Sequence, residues 1–524
     1  MKKFFALATL AIAALSFQSC ESMEGLDKDP NRPTQVTPDL LLNGVLVSLH
    51  ESPWNDVARW NQYNACNYNY YGNQEYNWTG APWVYPTLKN IQKMEEEALR
   101  LGLPEKNAYS AMGKFLKAVY YYRMTMLSGD IPMSEALQPD VTLTPKYDTQ
   151  KQVFLSILNM LDEANSDMAD LIASGNDEFS GDIYYGNDLA SYRRANNAFT
   201  LRVLIALSKK SEDADLNVKG RFASIANNPS QYPLFATNGD NMEFVYNPTF
   251  NKYPTSPDNF GFDALRYNMA ATSLNALAGL EDPRTFLYAE PAAAKVASGI
   301  PATSFSAFVG APSDEDLADM STKVQNGEYS LYNRYRWYRS FTAQNTIILS
   351  YAEQCFNIAE AAHRGWITAS AATYYQNGIE AVMAWHGIVD GANTVNFLKS
   401  SNDGDLSNSA NYNTYTVNFN KAAYLASPAV AYTNSTSGLE KILLQRYLAF
   451  FQNSGWEGYY QWRRTGVPAF DEGGSGTGNG GKIPKRFLYP TSEVTNNADN
   501  MNEALQRQFG TSSDDINHEM WIIK

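Results

Sequence analysis

Phe154-Leu-Ser-Ile157-Leu-Asn-Met-Leu161-Asp-Glu-Ala164-Asn-Ser-Asp-Met168-Ala-Asp-Leu171 is the stretch on which the fold turns. Its apolar positions Phe154, Ile157, Leu161, Ala164, Met168 and Leu171 recur at alternating spacings of three and four, which places them on one stripe of an amphipathic helix. Working outward, Met112, Leu116, Val119 and Met126 share another helical face, on which Arg123 is the polar exception. A third helix is expected through Ile348, Tyr351, Ala352, Cys355, Ala359 and Ala362, ending near Gly365 as a C-cap. Its alanines would let a neighbouring helix approach closely. Two more are expected from Ala369 to Trp385 and from Glu440 to Phe451. The reading is a mainly α chain with little β, built as tetratricopeptide-like helical pairs. No strict repeat of 34 residues is visible, so any repetition is structural.

Long irregular segments separate these helices: 54–85, 227–259, 291–342 and 389–437, rich in Asn, Gly, Pro, Ser and Tyr. Loops of this length without periodicity tend to carry function. They also hold much of the aromatic content of a chain with Tyr 34, Phe 25 and Trp 10.

The formal charge of −14 excludes a nucleic-acid binder, which needs a basic stripe to neutralise phosphates. With 44% apolar and 18% charged residues in 524, the chain has enough apolar surface for a large core.

Met1-Lys-Lys, the uncharged run Phe4 to Phe17, and Ser19-Cys20 form a secretory signal, residues 1–19. The apolar run is too short to span a bilayer. Cys20 directly after Ser19 reads as the lipidated first residue of a bacterial lipoprotein, and residues 20–37 as a polar tether. Residues 38–524 then form a single body. Cys66 and Cys355 remain, too few for a disulfide framework, and Cys355 reads as a small core hydrophobe.

Motifs for chemistry are weak. His50, His363, His386 and His518 share no metal spacing, and no Gly-x-Ser-x-Gly elbow nominates a serine nucleophile. Gly476 to Lys482 has phosphate-loop spacing but is followed by Ile483 in place of Ser or Thr, and reads as a surface loop. Asn402-Asp403-Gly404-Asp405 has oxygen ligands suited to a structural calcium ion but no downstream Glu at the loop spacing. No catalytic residue, metal site or cofactor is assigned.

Loop aromatics are the remaining chemical signal, because a sugar ring stacks its C–H face on Trp or Tyr while amides and guanidiniums bond its hydroxyls. Tyr70-Tyr71-Gly72-Asn73-Gln74-Glu75-Tyr76-Asn77-Trp78 supplies both components. The candidate ligand-binding residues are therefore Tyr71, Tyr76, Trp78 and Trp83, with Tyr335, Arg336 and Trp337 as an opposing wall. The acidic chain makes a neutral ligand the expectation.

Several phrases carry a family resemblance when taken in order. They include Leu127-Ser-Gly-Asp-Ile-Pro-Met-Ser-Glu-Ala-Leu137, Asp182-Ile-Tyr-Tyr-Gly-Asn-Asp188, Asn197-Ala-Phe-Thr-Leu-Arg202, Glu281-Asp-Pro-Arg284, Ser350-Tyr-Ala-Glu353, Arg463-Arg-Thr-Gly-Val-Pro468 and Ile483-Pro-Lys-Arg-Phe-Leu-Tyr-Pro490. Over almost all of its mature length the chain resembles the SusD/RagB-like outer-membrane lipoproteins, in particular their second SusD-like branch. The resemblance implies a non-enzymatic, cell-surface glycan-binding lipoprotein on the outer membrane. It also implies a SusC-like TonB-dependent transporter as partner, to which oligosaccharide is handed for nutrient uptake. The alternatives are a surface hydrolase with an acid pair, or a peptide-binding or structural lid of the transporter. The shared phrases themselves look structural: Gly129-Asp130 and Pro132 are turn chemistry, and Arg202 on an apolar helix calls for a buried acid.

Overall fold

The computed structural model describes residues 35–399 and 405–524. The signal segment, Cys20, the tether as far as residue 34 and residues 402–404 of the calcium candidate lie outside the described residues. The helices used below are α1 (Pro38–Val47), α2 (Tyr85–Arg100), α3 (Ala108–Ser128), α4 (Gln150–Ser174), α5 (Leu189–Ala206), α6 (Arg334–Tyr338), α7 (Tyr351–His363), α8 (Ala371–Trp385), α9 (Thr436–Ala449), α10 (Glu457–Thr465) and α11 (Ala498–Phe509), with further helices, among them Val218–Asn227, Ala271–Gly279 and Leu317–Gln325, between them. α1 packs on α2, α2 on α3, α3 on α4 and α4 on α5; α7 then packs on α5, α8 and α9. Five of these helices match the periodic stretches of the sequence.

The helix ends follow from local chemistry. Thr149 caps α4 by accepting from the Gln152 N–H while the Gln152 side chain returns the bond, and Gly175 closes the helix in a left-handed conformation. Asn107 and Ser110 form the same reciprocal cap on α3. Ser350 caps α7 through the Glu353 N–H at 3.0 Å. The close approach of α7 and α8 rests on Gly378, where a Cβ would lie 2.7 Å from the Phe356 ring.

α1 is fastened at its carboxyl end. Tyr120 Oη donates to the Val45 carbonyl at 2.6 Å, Tyr184 Oη to that of Leu46 at 2.9 Å, and Arg123 to those of Ser48 and Leu49, the former at 3.1 Å. The polar exception on the α3 face thus serves as a clamp on the segment after α1.

Charges are buried as balanced sets. Arg202 on α5 pairs with Glu353 on α7, the acid its position called for, and Arg446 on α9 and Glu457 on α10 lie within 4 Å of them. Nearby, Arg464 and Arg364 hold the fully buried Glu360. Desolvation opposes ionisation of Glu360, but the two guanidiniums prevail and keep its carboxyl at about 2.

Among the described residues the strands form three antiparallel pairs. β1 (Asn64–Cys66) pairs with β3 (Tyr267–Met269), β2 (Met242–Phe244) with β4 (Thr346–Leu349), and β5 (Gly391–Leu398) with β6 (Tyr412–Phe419). Two sequence expectations are corrected here. Ile348 belongs to β4, because Ser350 caps α7 and starts the helix only at Tyr351. The segment 389–437 is not irregular: β5 and β6 make an eight-residue hairpin, from Gly391 opposite Phe419 to Leu398 opposite Tyr412. The segment 473–482 lies at the surface, as expected, and is ordered as two short 3-10 turns bonded to Asp314 and Asn77. Cys66 and Cys355 are both buried and unpaired.

Candidate functional site

Three of the rings nominated from the sequence are core. Trp78 stacks on Phe487 at 4.1 Å and 9° and is boxed in by Trp60, Trp456 and Tyr459. Tyr76 is 1% exposed and donates to the Trp60 carbonyl at 2.9 Å. Trp337 is fully buried among Trp54, Tyr253 and Tyr288, and its Nε1 donates to the Tyr288 carbonyl at 3.3 Å. None of the three offers a ring face to solvent, so a platform of Trp78 facing Trp337 does not exist in this structure. Trp83 is half-buried, its Nε1 on Ser128 Oγ at 2.9 Å and its ring against Tyr85, Tyr147 and Tyr489.

Exposed rings gather instead on the turn just before these residues. Tyr68 is 48% exposed, Tyr70 83% and Phe262 71%, whereas aromatic side chains normally bury most of their area. Tyr68 leads into the 3-10 turn Asn69–Tyr71, and Gly72 closes it at φ +117 where a Cβ would meet the Arg59 guanidinium at 2.5 Å. Tyr71 is half-buried; its Oη donates to the Phe262 carbonyl at 2.8 Å, and Tyr70 meets its ring edge-on at 5.1 Å. Arg266 lies over the Tyr68 ring at 4.6 Å. Asn69 and Asn73 stand beside these rings with side-chain amides in the solvent-facing turn. Rings, amides and a guanidinium are thus presented together.

α6 carries a second group of rings. Phe260 packs edge-on against Tyr338 at 5.4 Å, and Tyr338 Oη donates to Asp263. Burial pushes the Asp263 carboxyl up to about 6 in spite of that bond. On α6, Tyr335 meets Tyr412 of β6 at 4.5 Å, and Arg339 lies over Tyr335 at 5.0 Å with a 3.0 Å bond to its Oη. Arg336 is drawn inward, stacked on Trp337 at 5.0 Å and bonded to Gln344 at 3.2 Å. Burial lowers the pKa of its guanidinium. Arg334 is paired with Glu290 through Nε at 3.1 Å and one terminal nitrogen at 2.6 Å. Of the nominated residues, Tyr71, Trp83, Tyr335 and Arg336 are half-buried, while Tyr68, Tyr70 and Phe262, the exposed rings, and Arg266 and Tyr412 beside these groups were not among those nominated.

A cavity of about 210 Å³ lies between α3, α5 and the start of α10. Two acids line it: Glu457 accepts from Tyr122 at 3.1 Å and is committed to the buried charge set, and Glu51 accepts from Asn55 Nδ2 at 2.5 Å. Among the described residues no cluster of His, Cys, Asp and Glu is placed to hold a metal, and no helix is long and apolar enough to cross a membrane.

A SusD homolog of known structure from Bacteroides fragilis is 32% identical, covers 93% of this chain and 100% of its own, and superposes with a TM-score of 0.79. A second from the same species is 30% identical over 94% of this chain and 100% of its own, with a TM-score of 0.76. A chitin-binding SusD homolog from Flavobacterium johnsoniae, 20% identical over 92% of this chain and 97% of its own, shares the fold with a TM-score of 0.66. No curated protein matches the chain. The model of the second SusD-like branch, described as starch-binding and associating with the outer membrane, matches residues 30–490. That span includes every helix from α1 to α10, both exposed ring groups and the hairpin, and on it the chain belongs to the SusD-like family.

Proposed function

We propose that the protein is a cell-surface lipoprotein, anchored through Cys20, that binds glycan and passes it to a SusC-like TonB-dependent transporter. The observation that carries the binding reading is the exposed group Tyr68, Tyr70 and Phe262, flanked by Asn69, Asn73 and Arg266. Exposed rings beside amides and a guanidinium fit a ligand with C–H faces and hydroxyls, and the family's description as starch-binding agrees. Tyr71 and Tyr335 belong to this binding surface; Arg336 supports it from behind.

The test is affinity electrophoresis of the body from residue 35 in gels containing starch, chitosaccharides, xylan, galactomannan or β-glucan. Retardation by at least one neutral polymer is expected, reduced by Tyr70→Ala. Mobility unchanged by every polymer would sink the glycan reading. For the anchor, Cys20→Ala is expected to move the protein from the membrane to the soluble fraction. For the partner, a TonB-dependent transporter is expected to co-purify with the anchored protein, and its absence from mild-detergent extracts would count against the handover.

A further inference from the structure

The hairpin β5·β6 is unlike the rest of the chain in charge. The protein is 18% charged, yet Gly391–Leu398 and Tyr412–Phe419 contain no Asp, Glu, Lys or Arg. Among the described residues the two strands pair only with each other, so each presents an outer edge, and α6 packs against β5. Proteins usually protect such edges with charge, proline or a cover. This ribbon has neither charge nor proline in its strands.

Its two faces differ. Val395 and Phe397 point inward, with Phe397 packed near Phe308 at 6.1 Å and near Tyr415 at 5.6 Å. The pairs Ala392 opposite Asn418, Thr394 opposite Thr416, and Asn396 opposite Thr414 share the other face. Ala392, Thr394, Thr414, Thr416 and Asn418 are all exposed there. Thr414 Oγ1 donates to Asn396 Oδ1 at 2.7 Å, which fixes one rung of the ladder. The same face ends at Tyr412, whose ring meets Tyr335 with Arg339 alongside.

We propose that this outward face is a track on which an extended, neutral glycan chain lies, its hydroxyls bonded by the Thr and Asn ladder and one sugar stacked at the Tyr335–Tyr412 end. The proposal rests on the glycan-binding reading and adds the class of ligand: unbranched along the contacted edge and without carboxylate or sulfate. Uncharged hydroxyl and amide groups replace water at neutral hydroxyls without desolvating an ion. A polyanion would instead face a protein of net charge −14. The two-stranded ribbon suits a linear polymer, because side chains on one face repeat every second residue along each strand.

The probe is whichever neutral polymer retards the wild type, together with its oligosaccharides of increasing length. Thr394→Glu/Thr416→Glu places like charges on the exposed face without touching the core. Affinity for the longer oligosaccharides is expected to fall tenfold or more, with less effect on the shortest, and the melting temperature should fall only slightly, since the two carboxylates face each other across the strands. Thr394→Ser/Thr416→Ser should restore binding. If the glutamate pair binds all lengths as the wild type does while Tyr70→Ala loses affinity, the glycan reading stands and the track is overturned. Salt-sensitive preference for a uronic or sulfated polymer overturns the neutral class, and loss of transporter co-purification with unchanged glycan affinity assigns the ribbon to the transporter. A wild type that binds no polymer removes both readings.

Discussion

Arg202 donates to both carboxylate oxygens of Glu353, 151 residues away in sequence, through Nε at 2.7 Å and a terminal nitrogen at 2.5 Å. Both side chains are buried, so the bond replaces the water each ion gave up when α5 and α7 closed on each other. Removing one partner should leave an uncompensated charge in the core. Arg202→Met or Glu353→Met is expected to lower stability by about 3–5 kcal/mol in urea unfolding. The double replacement Arg202→Met/Glu353→Met should be milder than the sum of the two singles. Strict additivity would show that the two groups do not act as a pair.

Trp78 and Tyr70 lie close in sequence and should behave as opposites. Trp78→Ala empties a site stacked on Phe487 and should lower stability by about 3–5 kcal/mol. Tyr70→Ala should leave melting unchanged and weaken glycan binding by roughly 1–3 kcal/mol, taking the scale of ring stacking on bases, or about tenfold or more. Calorimetric melting and isothermal titration on the two variants decide it. A stable Trp78→Ala with lost affinity would return that ring to the binding surface.

The contrast shows what the sequence could reveal. The stripe from Phe154 to Leu171 is a local property, so α4 could be read directly, and Gly365 marked the end of α7 for the same reason. Trp78 was misread because its burial depends on Phe487 and Trp456, which approach it only after the chain has folded back. Trp337 was misread likewise, since an aperiodic segment is not an exposed one. The hairpin did leave a trace: Thr394-Val-Asn-Phe397 and Tyr415-Thr-Val-Asn-Phe419 alternate polar and apolar residues with period two. The polar stretch between them hid that trace, being much longer than a tight turn.

Acid should weaken the fold partly through His50. Burial, and then the nearby Arg123 charge, lower its pKa from 6.5 to about 4. Its ring stacks on Phe244 at 4.0 Å and its Nε2 lies 3.0 Å from Tyr246 Oη. The unfolded chain therefore takes up this proton first. The stability contributed by the neutral ring is complete above pH 6.5 and is lost as pH falls from 6.5 through 4. At about 1.4 kcal/mol per pKa unit the loss is on the order of 3 kcal/mol. His50→Gln should flatten unfolding free energy over this window; an unchanged slope would exclude His50 as the source.

Both thiols should be inert in the native protein. Burial pushes Cys355 up to about 12 and raises Cys66 as well, so neither supplies much thiolate at neutral pH. Ellman's reagent is expected to leave both unmodified in buffer and to titrate both in guanidinium. Fast labelling of either native thiol would show that its surroundings open.

The clamp on the segment after α1 has a mechanical consequence. Tension reaching the body from the chain before Pro38 meets α1 and then carbonyls at Val45, Leu46, Ser48 and Leu49, held by Tyr120, Tyr184 and Arg123. The pull is divided over four attachment points, two of whose donors sit on α3, itself packed on α2 and α4. Strain is thereby spent in the helical frame before it can reach the Tyr68–Tyr71 turn or the ribbon. A body dragged about by its amino end would keep the shape of its exposed ring turn and its ribbon.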